Sequence, residues 1–139
     1  MSSTDGQLRS VVSLIREVDE LFDRHFGAVR TRPAVWEPPL DLFLQGTRLW
    51  LVFELPGVEA RDIDIRIGHR VVLLSGTRRG PGRSGARFYE SEIARGAFRR
   101  AVRLPMPIQP ESYSIELENG VLSLGLERSA ELVRVIEVE

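Results

Sequence analysis

Glu90 and Glu92 stand two residues apart, so on an extended chain their carboxylates share one side. That spacing suits a pair that gives and takes protons. The surrounding stretch is rich in charge, which favours a solvated face, so no catalytic residues are expected there. His25 and His69 are the only histidines, and neither has a serine, cysteine or ligand cluster beside it; both read as surface residues. Arg78, Arg79, Arg83 and Arg87 flank a glycine-rich loop with Phe88 and Tyr89 beyond it. Guanidinium groups beside aromatic rings could hold phosphates and stack bases. Against that, 20 acidic residues outnumber 19 basic ones and leave a net charge of -1, where a nucleic-acid binder is usually basic. Cysteine is absent, which removes disulfides, thiolate catalysis and cysteine zinc sites. All the basic residues are arginine, so neither a Schiff-base nor a P-loop lysine is available. The chain is expected to be a binder, not an enzyme, with no cofactor, no metal and no nucleic acid.

These residues need a scaffold, and 139 residues with 42% hydrophobic content are enough for one domain with short appendages. The N-terminus lacks the basic and apolar runs of a signal peptide, and no window approaches the ~20 apolar residues of a membrane span. The expectation is a soluble cytoplasmic protein without a membrane partner.

Leu8, Val11, Val12, Ile15, Val18, Leu21, Phe22 and Phe26 recur at spacings of three and four, with Leu14 at the margin. The period predicts an amphipathic helix, with Asp5 as N-cap and Gly27 as its stop. Pro33, Pro38 and Pro39 then mark a linker. From Leu49 the period becomes two: Leu49, Leu51, Phe53 and Leu55, then Ile63, Ile65 and Ile67. A two-residue turn at Gly68-His69 would set Ile65 against Val72 and Ile63 against Leu74. Asn119-Gly120 suits a type I′ turn and pairs Leu117 with Leu122, Ile115 with Leu124 and Tyr113 with Leu126. Many short strands without a helical crossover predict an all-β, immunoglobulin-like antiparallel sandwich of roughly seven strands. The expected organisation is a helical arm and linker over 1–35, a sandwich over 36–128 and a tail over 129–139.

The order of motifs resembles the small heat shock protein (α-crystallin) family, bacterial type. Trp36-Glu37-Pro38-Pro39-Leu40-Asp41 looks like that family's opening strand. Glu54-Leu55-Pro56-Gly57-Val58 with Asp62-Ile63 is similar to its ELPGV and DI segment, and Val72–Gly76 with Arg78 to its L-x-I-x-G-x-R. Tyr89, Glu92, Gly96, Phe98, Arg100 and Leu104-Pro105 follow its Y-x-x-E, G-x-F-x-R, L-P order. Asn119-Gly120-Val121-Leu122 matches NGVL, although Ile115 stands where the family has a small residue. Ile136-Glu137-Val138 resembles the family's I-x-I/V tail, and Val133-Arg134-Val135 offers a second such pair.

The resemblance implies an ATP-independent chaperone that binds unfolding client proteins, through an arm carrying Leu14, Leu21, Phe22 and Phe26. It implies a homodimer made by strand exchange, with Arg87, Phe88, Tyr89, Glu92 and Arg100 at the dimer interface. It also implies a larger homo-oligomer, in which Ile136 and Val138 anchor the tail in a neighbour's groove at Ile63, Ile65, Ile115 and Leu117. A co-chaperone or adaptor of the CS-domain type would keep the fold without that tail and without the Arg100 motif.

Overall fold

The computed structural model describes residues 12–14 (backbone only), 35–80 and 82–130. They form a sandwich of two four-stranded sheets. One has the order β1-β4-β5-β6 and the other β2-β3-β8-β7. The strands are β1 (Val12–Leu14), β2 (Leu40–Gln45), β3 (Arg48–Glu54), β4 (Ile63–Ile67), β5 (Val71–Arg78), β6 (Gly96–Arg103), β7 (Ile108–Glu118) and β8 (Val121–Arg128). A short 3-10 turn, Ala60–Asp62, precedes β4. The alternating residues face inward as the period predicts: Leu49, Leu51, Phe53, Ile63, Ile65, Ile67, Val72, Leu74, Leu122, Leu124 and Leu126 are nearly or fully buried. Each such side chain contributes roughly 1.5–3 kcal/mol through loss of apolar surface to water.

Several expectations change. The helix predicted over Leu8–Phe26 does not hold at Val12–Leu14, which form a strand parallel to β4; the rest of that helix lies outside the described residues. The apolar-polar-apolar order Val12-Ser13-Leu14 fits either period, and pairing with the backbone groups along β4 favours the extended form. The β4–β5 hairpin turns at His69-Arg70 instead of Gly68-His69, with the Gly68 N–H donating to the Val71 carbonyl at 2.9 Å. Facing partners therefore slide by two: Ile65 opposes Leu74, and Ile67 opposes Val72. An even slide keeps every apolar residue on its face. Finally, the strand after Trp36 begins only at Leu40, while Trp36 makes an isolated bridge to Phe98.

The Asn119-Gly120 turn forms as predicted, with φ of 55° and 78°. Leu117 opposes Leu122 and Ile115 opposes Leu124. The third pair, Tyr113 with Leu126, is lost because the register shifts between Gln109 and Ser114. Arg48 lies across the shifted stretch, its Nη2 donating to the carbonyls of Ser112 (3.0 Å) and Gly125 (3.2 Å) and to Ser114 Oγ (2.8 Å).

The motifs pack on one another. A Cβ on Gly120 would lie 2.8 Å from Pro56 Cα, and the Leu55 N–H donates to the Gly120 carbonyl at 2.7 Å. Gly76 admits no side chain either: a Cβ there would meet the Asp62 carbonyl and lie 2.5 Å from Phe98 Cζ.

Candidate interaction surfaces

Two groups of exposed apolar side chains stand out among the described residues. The first is β2, an edge strand, where Leu42, Phe43 and Leu44 are 36%, 45% and 41% exposed. Leu42 and Leu44 oppose Leu51 and Leu49 on β3 and so point toward the core side, whereas Phe43 opposes Trp50 on the outer side. The strand thus carries uncovered apolar surface on both faces. The sequence reading passed over this stretch, although the alternation of Leu40, Leu42 and Leu44 before Gly46 was a visible signal.

The second group lies in the segment from Arg79 to Arg95, which joins β5 to β6 and has no strand of its own among its described residues. Phe88, Tyr89 and Ile93 are exposed there, Tyr89 at 91%. The segment is held at its base by guanidinium groups. Arg78 donates to the Ala94 carbonyl through Nε (2.9 Å) and Nη2 (2.8 Å), and through Nη1 to the Pro56 carbonyl at 3.0 Å. It also lies 4.2 Å from the Trp36 ring centroid, a cation–π contact. Trp36 in turn packs on Phe98, with centroids 5.3 Å apart. Arg79 meets Asp62 in a two-pronged ion pair at 2.8 Å, and this holds the Asp62 carboxyl below its ordinary range. Arg95 sits 5.2 Å from the Phe88 ring centroid. Around the cleft of about 550 Å³ at this base, Arg78, Arg79 and Arg95 are turned onto the chain's own carbonyls, carboxylate and ring.

Of the predicted dimer residues, Arg87, Phe88, Tyr89 and Glu92 are exposed in this segment. Arg100 is half-buried on β6 and donates to the Pro38 carbonyl at 3.2 Å. The predicted groove residues sit on opposite sheets: Ile63 and Ile65 on β4, Ile115 and Leu117 on β7. Ile63, Ile65 and Ile115 are buried in the core, and Leu117 is half-buried against it. The anchor residues Ile136 and Val138, and the arm residues Leu21, Phe22 and Phe26, lie outside the described residues. Glu90 and Glu92 are both exposed, and among the described residues no group of acids and histidines is gathered that could hold a metal. Nor is any described helix long and apolar enough to cross a membrane.

The sandwich is shared with solved structures. HSP18.5 from E. histolytica superposes with a TM-score of 0.62 at 29% identity, over 70% of this chain and 92% of that one. A small heat-shock protein from Xylella fastidiosa superposes with a TM-score of 0.62 at 26% identity, over 70% and 90%. In sequence, the 18 kDa antigen 1 of Mycobacterium avium is 34% identical over 113 residues, which span 80% of this chain and 73% of the relative. The family model described as "Hsp20/alpha crystallin family" matches residues 45–139. That stretch holds the ELPGV, G-x-F-x-R and NGVL segments, whose mutual packing the structure explains, and on this agreement the chain belongs to the Hsp20/alpha crystallin family of small heat shock proteins.

Proposed function

We propose that the protein is an ATP-independent holdase of the cytoplasm, non-catalytic, which binds unfolding proteins and keeps them from aggregating. One observation carries this reading beyond family membership: exposed apolar surface is concentrated on one open sheet edge and one loop, on a sandwich whose core is otherwise complete. Such surface serves binding, and an open edge invites strand addition. In this reading Arg87-Phe88-Tyr89 of one copy adds a strand to the β2 edge of another. Leu42, Phe43 and Leu44 are covered in the process, and Arg100 of one copy meets Glu92 of the other.

Larger assemblies follow from the tail, with Ile136 and Val138 docking at the rim of the β4 and β7 groove beside Leu117. The Xylella relative is described as having a distinct high order structure, which supports assembly of this kind. The arm, with Leu14, Leu21, Phe22 and Phe26, is the client surface in this reading.

The test is heat aggregation of an unrelated enzyme followed by light scattering, with this protein added and no nucleotide. Suppression near stoichiometric ratios, unchanged by ATP, supports the holdase. Scattering that stays unchanged at every ratio would overturn it in favour of an adaptor with one specific partner.

A further inference from the structure

The arginines of the segment joining β5 to β6 divide into two kinds. Arg79 and Arg95 are turned onto Asp62 and the Phe88 ring of their own chain. Arg83 and Arg87 are exposed and, among the described residues, their side chains make no ion pair or hydrogen bond. The backbone separates these last two. A turn closes at Arg83, whose carbonyl accepts the Ala86 N–H at 3.2 Å, and Gly82 and Gly85 beside it have φ of 65° and 80°. Arg87 lies past that turn, next to Phe88 and Tyr89. As an added strand, this stretch would set Arg87 and Tyr89 on one face and Phe88 on the other.

The β2 edge sorts its own side chains in the same way. Leu42 and Leu44 point to the core side, while Asp41 and Phe43 stand on the outer face. Beside Asp41 that face has a hollow of about 240 Å³, lined by Pro39, Leu40, Asp41, Val52, Glu54 and Val121. Its walls are apolar apart from the carboxylates of Asp41 and Glu54. Both are exposed and, among the described residues, neither has an ion-pair partner. Arg48, on the same face, is held by Glu127, Ser112 and Ser114. An arginine side chain fits such a hollow, because its carbon stem packs on apolar walls while its planar fork reaches carboxylates.

Desolvation decides which way the added strand faces. With Phe88 outward, Arg87 would lie over Leu42 and Leu44, a buried charge without a partner. With Phe88 inward, it covers those leucines and leaves Arg87 on the acidic side. Resting on the strand addition proposed above, we propose that Arg87 of a second copy fills the hollow and pairs with Asp41 and Glu54. Phe88 then lies opposite Leu42, and Tyr89 stays on the outer side with Phe43. In this register a strand of either direction keeps Arg87 directly or diagonally across from Asp41, within ~5–8 Å between Cβ atoms. The apolar match alone would accept many alternating strands. The charge pair is what selects a second copy of this chain.

The test mixes charge reversals. Asp41 and Arg87 are exposed in the single chain, so Asp41→Arg and Arg87→Glu should each melt with the parent. Each variant alone sets like charges together, twice in a two-fold dimer. By light scattering over a dilution series, each should dimerise roughly tenfold or more weakly than the parent. Mixed one to one, each variant supplies the charge that the other needs at both contacts, and most of the lost affinity should return. A mixture as weak as either variant alone would overturn the pair. Phe43→Glu controls for strand addition itself. If it lowers the mass while the reversals do not, the pair is overturned and strand addition stands. If neither changes the mass, strand addition at β2 falls and the pair falls with it.

Discussion

β4 and β2 are similarly apolar strands with opposite fates. β4 reads Ile-Asp-Ile-Arg-Ile, and Ile63, Ile65 and Ile67 are 2%, 1% and 0% exposed, with β1 sealing the strand beyond. β2 reads Leu-Asp-Leu-Phe-Leu-Gln, and from Leu42 to Leu44 it is open on both faces and lies at the sheet edge. Composition does not separate them; position in the sheet order and the presence of an opposing layer do. Edges are commonly blunted with charge, proline or a bulge. β2 has Pro38-Pro39 before it and Asp41 near its start, but Leu42–Leu44 is left unguarded, which is the pattern of an edge that another chain covers.

The largest effect should come from the sealed side. Ile67→Ala removes a fully buried side chain and should lower unfolding free energy by about 2–5 kcal/mol. Leu44→Ala, in urea unfolding at low protein concentration, should cost about 0.5 kcal/mol or less. Equal losses at the two sites would mean that β2 is already covered within the single chain, and the contrast would fail.

Assembly should respond the other way round. Phe43→Glu leaves the fold intact but places a charge where a partner strand would lie. Loss of one buried aromatic contact, ~1.5–3 kcal/mol, weakens dimerisation by roughly 10- to 100-fold. Mass by light scattering should therefore fall toward the monomer over a dilution series. A mass indistinguishable from the parent's would remove β2 from the interface.

The two strands also differ in how far the sequence disclosed them. Strands with strict alternation and hairpins with a strong turn pair were legible, because period and turn chemistry act locally; Asn119-Gly120 fixed its pairs as far as Ile115. Beyond that, the register shifts between Gln109 and Ser114, where Arg48 reaches in from another strand, and no local pattern encodes that contact. Val12–Leu14 went astray for the same reason, since what decides their form is an edge some fifty residues away in sequence. Phe88 and Tyr89, expected from a motif at a dimer interface, are exposed in the single chain. The exposure of Leu42–Leu44 depends on where the opposite sheet ends, and alternation along one strand does not carry that information.

The smallest effect concerns the joint between β4 and the exposed β5–β6 loop. Asp62, just before β4, pairs with Arg79 at the start of that loop, so the pair ties the loop to the sealed side of the sandwich. Hydrogen bonding from Arg79 lowers the Asp62 pKa below its ordinary 3.8 in the folded protein. A carboxyl with a depressed folded-state pKa contributes stability at pH values above 3.8, and that contribution disappears as the pH falls through the lowered value. Asp62→Asn should therefore melt slightly below the parent at neutral pH, and the gap should close in the acid range below 3.8. The shift will be small, because the Arg79 side of the pair is open to solvent and screened. Added salt at neutral pH should narrow the same gap. A gap that persisted unchanged into acid would assign the loss to packing at the start of β4 instead of to the ion pair, and would leave the loop without an electrostatic tie to the core.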